Sequence, residues 1–265
     1  MPLYRTDGIV LRTQDLGEHD RIVTLYTRDL GKLSAVARGA RRVRSRFGGA
    51  LELFTWGDAV GFEREGRSLL RLDQFDIRRS FRGLREDLTR LGQGARMLEA
   101  LARLTAERDP QPACFALLLR GLRALETYPA ARVQLAFTLR LLDLLGHRPR
   151  LDRCGGCGAT VATTGIVFDP TEGRVRCAAC RGPGAEGLSP RVLGVLRGLQ
   201  AANWEGRLRA RIPAAVEHEA AQVLDGYLAA LSGATLRSPR FLARTVPPGD
   251  DPWPSGGTAA APSEA

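Results

Sequence analysis

Four cysteines occur as two close pairs in the second half of the chain. Two residues separate the members of each pair, and 19 residues lie between the pairs, which are Cys154 with Cys157 and Cys177 with Cys180. A two-residue gap lets both thiolates of one turn reach the same cation, and this spacing is typical of four-thiolate zinc sites. The pattern therefore predicts one bound Zn²⁺. Four protein ligands leave no open coordination position, so we expect the zinc to be structural rather than catalytic.

Disulfide bonds are the alternative for these cysteines. The first residues of the sequence contain no apolar core of an export signal, which favours the cytoplasm, where disulfides are rare. Residues 164–170 and 173–177 have the pattern of a short hairpin that would hold the pairs face to face, so we predict a zinc ribbon over residues 151–181. Its near-neutral charge indicates a structural clip. Cys114 lies beside Phe115 in an apolar helical pattern and is expected to be a core side chain.

A second group of residues that could carry chemistry is a run of arginines. Residues 38–46 contain five arginines and no acidic residue, namely Arg38, Arg41, Arg42, Arg44 and Arg46. Flanking glycines and the lack of an apolar period predict an exposed, flexible loop, and guanidinium groups on such a loop suit phosphate contacts. A solvated surface run is the alternative. Nearby aromatic residues could stack on bases or fill a core, namely Tyr26, Phe47, Phe54, Trp56 and Phe62.

The overall charge also favours a polyanionic partner. The chain has 265 residues, with 39 Lys and Arg against 29 Asp and Glu, a net charge of +10 and a pI of about 10.3. Only Lys32 is a lysine, a bias that a GC-rich genome would also produce. No apolar run is long enough for a membrane span, so we expect no membrane partner and a cytoplasmic location.

The elements that must position these groups fall into two parts. Residues 1–80 contain five short alternating or β-branched runs, at 8–13, 21–27, 32–38, 58–63 and 69–75, separated by turn residues. Five such strands predict a small barrel, and both an OB-fold and an SH3-like barrel fit the pattern. From residue 84 the apolar period becomes helical, first to 102 and then over 115–125. A third helix, opened by Pro129 and stopped by Gly146, is apolar nearly all round and should be the buried centre of a bundle.

Helical patterns resume after the predicted ribbon. Ser189 and Pro190 predict an N-cap and first turn, and a last helix should end before Gly233. From residue 247 onward, Pro, Gly, Ser and Ala dominate, so we expect a disordered tail. The predicted domains are a barrel over 1–80, a helical domain over 81–150 and 182–246, the ribbon inserted at 151–181, and the tail at 247–265.

Several of these stretches resemble the RecO family, the bacterial recombination mediators. The resemblance is carried by Gly8-Ile-Val-Leu, by Leu16-Gly-Glu-His-Asp-Arg-Ile-Val-Thr-Leu-Tyr-Thr, by residues 31–51 and by residues 141–158 with the second cysteine pair. It covers roughly residues 3–245. It implies an α+β multidomain protein with an N-terminal OB-fold β-barrel, followed by an α-helical domain with an inserted four-cysteine zinc ribbon.

The same resemblance implies the function and the partners. Members of this family bind single- and double-stranded DNA, anneal complementary strands, act with RecR, and help to load recombinase onto strands coated by single-strand-binding protein. They are not enzymes in the bond-making sense, and they act in the cytoplasm in association with the nucleoid. Lys32 and the five arginines match the family's basic OB-fold segment and are expected to bind nucleic acid. Some members lack the cysteines, which again implies a structural zinc.

Two other classes of protein combine similar parts. NAD-dependent DNA ligases also carry an OB-fold and a four-cysteine zinc site, but they need a nucleophilic lysine in a Lys-x-Asp-Gly motif. The single lysine, Lys32, is followed by Leu-Ser-Ala, which excludes the ligase. A zinc-ribbon transcription or translation factor remains the alternative to a recombination mediator.

Overall fold

The computed structural model describes residues 3–63, 69–161, 164–182 and 187–235. The predicted disordered tail at 247–265 lies outside these residues, and so does most of the segment that links the ribbon to the next helix. No helix in the described part of the chain is long and apolar enough to cross a membrane. The domain limits given above stay a prediction.

The first part of the chain forms a closed five-stranded barrel. Its strands are β1 (Leu3–Leu16), β2 (Asp20–Thr27), β3 (Gly31–Ala37), β4 (Trp56–Phe62) and β5 (Leu70–Arg79). Burial alternates along β3 and β4, whereas residues 6–11 of β1 are all buried. The order around the barrel is β1-β2-β3-β5-β4, with β4 pairing back onto β1, and only β3 and β5 are parallel. Closure removes the exposed sheet edges. This topology is OB-like and confirms the predicted fold class.

Seven helices and one small hairpin follow within the described residues. The helices are α1 (Arg82–Glu86), α2 (Leu88–Leu104), α3 (Pro112–Leu125), α4 (Ala130–Leu144), α5 (Pro190–Ala201), α6 (Trp204–Arg209) and α7 (Ala214–Ser232). Helix α4 is buried along most of its length and packs against α2, α3, α5, α6 and α7, as predicted for the centre of a bundle. Gly146, with φ at 79°, follows its C-terminus. The hairpin consists of β6 (Val167–Asp169) and β7 (Arg174–Arg176), the strands predicted within the ribbon.

The helical part differs from the sequence prediction in two places. The single helix expected over 84–102 is divided at Asp87, whose extended backbone starts α2 and whose carboxylate accepts a hydrogen bond from the Arg90 N–H at 3.0 Å. Helix α6 was not predicted at all, and Asn203 caps its N-terminus by accepting a bond from the Gly206 N–H at 2.8 Å. A helix of six residues is too short for the apolar period to detect.

Two apolar cores lie side by side. One fills the barrel, and it includes Val10, Leu25 and Leu72. The other extends through the helices and into the ribbon, and four buried residues of the first part of the chain contribute to it: Ile9 and Leu11 of β1, Tyr26 of β2, and Phe54 of the β3–β4 connection. The barrel is therefore packed directly against the helices.

Candidate metal centre and nucleic-acid interface

The two cysteine pairs meet at one point of the ribbon. The Sγ atoms of Cys154, Cys157, Cys177 and Cys180 all lie within 4.8 Å of one another, and those of Cys157 and Cys177 are 3.9 Å apart. A Zn–S bond of about 2.3 Å gives a tetrahedron whose sulfur atoms are separated by about 3.8 Å. All four cysteines are free thiols, with no disulfide among them. The donor set and its spacing fit a tetrahedral thiophilic cation.

The surrounding backbone favours ionised sulfur. The N–H groups of Gly156 and Cys177 each donate to Cys154 Sγ, with N···S distances of 3.4 Å. Backbone hydrogen bonds from Cys157 and Cys177 lower the pKa of Cys154 to about 6. Hydrogen bonding to the Cys177 thiol, followed by bonds to the other two thiols, raises the pKa of Cys180 to about 12. Four thiols this close do not all ionise unaided, and a cation among them would compensate the negative charge.

Glycine lets the first cysteine turn approach the second one. A Cβ atom on Gly156 would lie 2.9 Å from both Cβ and Sγ of Cys180. At the other end of the hairpin, Gly173 has φ at 64°, and a Cβ there would overlap the Tyr227 hydroxyl of α7. The Tyr227 ring also meets the edge of Phe168, with centroids 5.7 Å apart. The first cysteine turn can therefore lie against the second one, and the hairpin turn can lie against α7, because glycine stands at the closest point of each contact.

The arginine segment, which we define as residues 38–46, belongs to the connection between β3 and β4. The predicted exposed loop after the third strand is present, and it is built as a series of tight turns closed by backbone hydrogen bonds. Ala40, Phe47 and Leu51 are buried against the barrel, and the Gly39 N–H donates to the Asp20 carboxylate at 2.8 Å. The nearby aromatic side chains were expected either to stack on bases or to fill the core. Tyr26, Phe47 and Phe54 are buried in the core.

All five arginines of this segment are exposed, but they differ in their partners. Arg41 forms an ion pair with Asp15 at 3.3 Å and Arg46 one with Asp73 at 3.2 Å. The side chains of Arg38, Arg42 and Arg44 form no hydrogen bond or ion pair with any described residue. Their charges are therefore available to a ligand.

Lys32 lies apart from these arginines. Its ammonium group donates to the carbonyl oxygens of Ala102 at 2.6 Å and Thr105 at 2.8 Å, at the C-terminal end of α2, and it is 3.6 Å from the Glu107 carboxylate. Its side chain is only 13% exposed. Because the ammonium group already has these partners, the DNA interface proposed for the arginines does not include Lys32. The role of Lys32 in DNA binding stays a prediction.

A groove between α3, α4 and α6 is a further candidate site that no sequence pattern indicated. It has a volume of about 480 Å³, and the residues that line it include Leu117, Arg120, Arg140, Leu144, Trp204 and Arg207. The Arg207 guanidinium is buried, and its partners among the described residues are carbonyl oxygens, of Ala202 at 3.0 Å, Gln200 at 3.4 Å and Ala136 at 3.5 Å. Burial lowers the pKa of Arg207, and the positive charge of Arg140 lowers it further.

The groove could be found only in the folded chain. Its three arginines are spread over residues 120–207, and no local motif joins them. Arg120 forms an ion pair with Glu205 and lies over the Trp204 ring, 5.3 Å from its centroid, whereas Arg140 pairs with Asp143. The combination of apolar walls with three guanidinium groups fits a ligand that is both apolar and anionic.

Comparisons with known proteins agree with this architecture. The family model described as recombination protein O N terminal matches residues 1–81, and the one described as recombination protein O C terminal matches residues 85–240. A DNA repair protein RecO from Anaeromyxobacter sp. (strain Fw109-5) is 40% identical over 245 residues, which cover 91% of this chain and 95% of that protein. A RecO protein from Symbiobacterium thermophilum is 39% identical, with coverages of 91% and 97%. One from Rubrobacter xylanophilus is 43% identical, with coverages of 76% and 82%.

Proposed function

The chain belongs to the RecO family of DNA repair proteins, and on that premise we propose that it is a recombination mediator that binds single- and double-stranded DNA, anneals complementary strands and helps to load recombinase. The observation that carries the DNA-binding part is the set of three unpaired, exposed guanidinium groups of Arg38, Arg42 and Arg44 among the described residues. They project from turns that are fixed to the barrel. A phosphate that binds there releases its counterions without first breaking an internal ion pair.

Annealing has an electrostatic rationale. Two strands repel each other, and a protein surface with excess positive charge lowers this repulsion for both strands at once. Residues 1–80 carry 15 basic and 11 acidic side chains, and residues 81–150 carry 12 and 7. The excess thus extends from the barrel into the first helices. Such a role needs no bond-making chemistry, so we propose a mediator rather than an enzyme, acting in the cytoplasm at the nucleoid.

The salt dependence of DNA binding tests the role of the arginine segment. In the Arg42→Gln/Arg44→Gln variant, we expect the slope of log Kobs against log salt concentration for single strands to fall by about 1.4, because each lost phosphate contact removes about 0.7. The annealing rate should fall with it. Arg191→Gln/Arg211→Gln is the matched control, since both residues are exposed and the net charge changes equally. If the slopes and annealing rates of the two variants were equal, the proposal would be contradicted. A strong sequence preference in DNA binding by the unaltered chain, without annealing, would favour a transcription factor.

We also propose that the four cysteines bind one structural Zn²⁺. Support comes from the close approach of the four sulfur atoms and from the backbone N–H groups directed at Cys154. When bound, the metal would link the two cysteine turns and compensate the charge of the thiolates. With four protein ligands, no position is left for a reacting molecule.

RecR and single-strand-binding protein are the proposed protein partners. For RecR the support is family membership, and co-purification of the two proteins is the test. For single-strand-binding protein we propose that its acidic, apolar C-terminal tail lies in the groove. Leu117, Leu144 and Trp204 would contact the apolar side chains of the tail, and a carboxylate would compensate the buried charge of Arg207.

A labelled peptide with the sequence of that tail tests the groove. Arg140 also lines the groove and would bind a second carboxylate of the tail. In the Arg140→Gln variant, we therefore expect the affinity for the peptide to fall about tenfold, because one charge-assisted contact is lost. Arg191→Gln should bind the peptide as the unaltered chain does, because Arg191 lies outside the groove. Equal affinities for the two variants would place the peptide elsewhere.

A further inference from the structure

An apolar side chain stands at the most exposed point of the arginine segment. Val43 is fully exposed, and among the described residues no other large hydrophobic side chain is as accessible. Val43 and Arg44 are the two central residues of a tight turn, which is closed by a hydrogen bond from the Ser45 N–H to the Arg42 carbonyl oxygen at 2.9 Å. The valine is therefore presented on a short, closed turn.

Nothing in the described part of the fold uses this side chain. Central positions of tight turns favour Gly, Pro, Asn, Asp and Ser, whereas a β-branched apolar residue has no local advantage there. The residues that fix the segment to the barrel are its neighbours Ala40 and Phe47, which are buried. The described part of the fold therefore gives the Val43 side chain no apolar contact, and the whole side chain is accessible to a ligand.

The charges beside Val43 identify the chemistry of that ligand. Arg42 and Arg44 flank it in the sequence, and both guanidinium groups are exposed and unpaired among the described residues. A ligand that meets all three side chains must combine anionic groups with apolar surface at short spacing. A nucleic-acid strand does so, because phosphates alternate with deoxyribose rings and bases.

We propose that Val43 contacts the bases or deoxyribose rings of a bound single strand while Arg42 and Arg44 bind the adjacent phosphates. This contact rests on the proposed DNA-binding function and adds an apolar component to it. Architectural DNA-binding proteins provide a precedent for apolar contact with bases, because they insert side chains such as Leu, Ile or Pro between the base steps of a duplex. The contribution of Val43 should be independent of salt, because it releases no counterions, whereas that of the arginines depends on salt.

Two substitutions at this position separate the apolar contact from other effects. Val43→Thr keeps the β-branched shape and replaces one methyl group by a hydroxyl, so we expect single-strand affinity to fall about fourfold at every salt concentration, with the salt slope unchanged. Val43→Leu adds one methylene group, and we expect affinity to rise. Both variants should unfold at the same denaturant concentration as the unaltered chain, because the side chain is fully exposed. With 2-aminopurine in the strand, the emission that reports unstacking should decrease in the threonine variant.

The outcomes distinguish this contact from the function on which it rests. If Val43→Thr and Val43→Leu bind DNA as the unaltered chain does, while Arg42→Gln/Arg44→Gln loses affinity, the valine contact is wrong and the DNA-binding function stands. If Val43→Thr keeps its DNA affinity but loses a protein partner, the valine belongs to a protein interface and the proposed contact is again wrong. If the arginine variant also binds normally, the proposed interface itself is wrong.

Discussion

A buried ion pair between Arg132 of α4 and Glu217 of α7 is the residue-scale feature with the clearest energetic consequence. The two side chains are 8% and 9% exposed, and Arg132 also donates to the Ile212 carbonyl at 3.3 Å. In Glu217→Ala a charged guanidinium would remain buried without its carboxylate. We expect the free energy of unfolding to fall by about 3–5 kcal/mol, the usual cost of such a change.

The control for this prediction is an ion pair of the same type on the surface. Arg82 and Glu86 are paired within α1 with side-chain exposures of 79% and 59%. Glu86→Ala should change the free energy of unfolding by less than about 1 kcal/mol. Urea denaturation of both variants measures the difference, and equal effects would show that burial does not determine the cost.

Single residues were predictable from the sequence where their chemistry is local. The four cysteines form two closely spaced pairs, and the five arginines lie within nine consecutive positions, so both groups could be identified before the fold was known. The partners of Lys32 are carbonyl oxygens some 70 residues away, and Arg207 faces residues from two other helices. Val43 was not singled out, because its exposure depends on how the turn is closed.

At the scale of elements, the regular structure within the ribbon is limited to one short hairpin. Its strands β6 and β7 have three residues each, and it is connected to the helices by the shared apolar core, by the Tyr227 ring of α7 and by the Arg197 side chain of α5, which donates to the Leu151 carbonyl at 2.7 Å. A two-stranded hairpin of this size is unstable without further support. Packing against α5 and α7 supplies part of that support, and the proposed metal would supply the rest.

Removal of the metal should therefore lower stability before it affects DNA binding. With a chelator present, we expect a lower unfolding temperature, because metal binding and folding of such sites are coupled. Single-strand affinity measured well below that temperature should be unchanged, because the arginine segment belongs to the barrel. Loss of DNA binding while circular dichroism still shows the native helices would contradict this prediction.

The elements themselves followed from local patterns with two exceptions, the division at Asp87 and the short helix α6. Strand alternation and turn residues indicated the five barrel strands, and the apolar period indicated the longer helices. The apolar period of the sequence continues past Asp87 without a break. The division of the helix there depends instead on the capping interaction of the Asp87 side chain. The tight turns of the arginine segment could not be predicted, because the buried residues that follow it, Phe47, Leu51 and Phe54, have no regular period.

At the scale of the whole molecule, the barrel and the helices meet along the β2–β3 turn. Gly31 has φ at 70°, and a Cβ there would overlap the Asp109 carbonyl group. The Arg108 N–H donates to the Lys32 carbonyl at 2.9 Å, and the Lys32 ammonium group donates to the end of α2. Barrel and helices are thus joined by backbone contact as well as by side chains.

Lys32→Met tests whether this lysine joins the two parts or binds DNA. Methionine retains the length and apolar stem, but it leaves the Ala102 and Thr105 carbonyl oxygens without their donor. We expect the free energy of unfolding to fall by about 1–3 kcal/mol, the cost of unsatisfied buried acceptors. DNA affinity and its salt slope, measured where the variant is folded, should equal those of the unaltered chain.

Arg38→Met is the converse control, with normal stability and a smaller salt slope, because the Arg38 guanidinium is exposed and unpaired among the described residues. A stable Lys32→Met variant with a reduced slope would return Lys32 to the DNA interface that the sequence predicted.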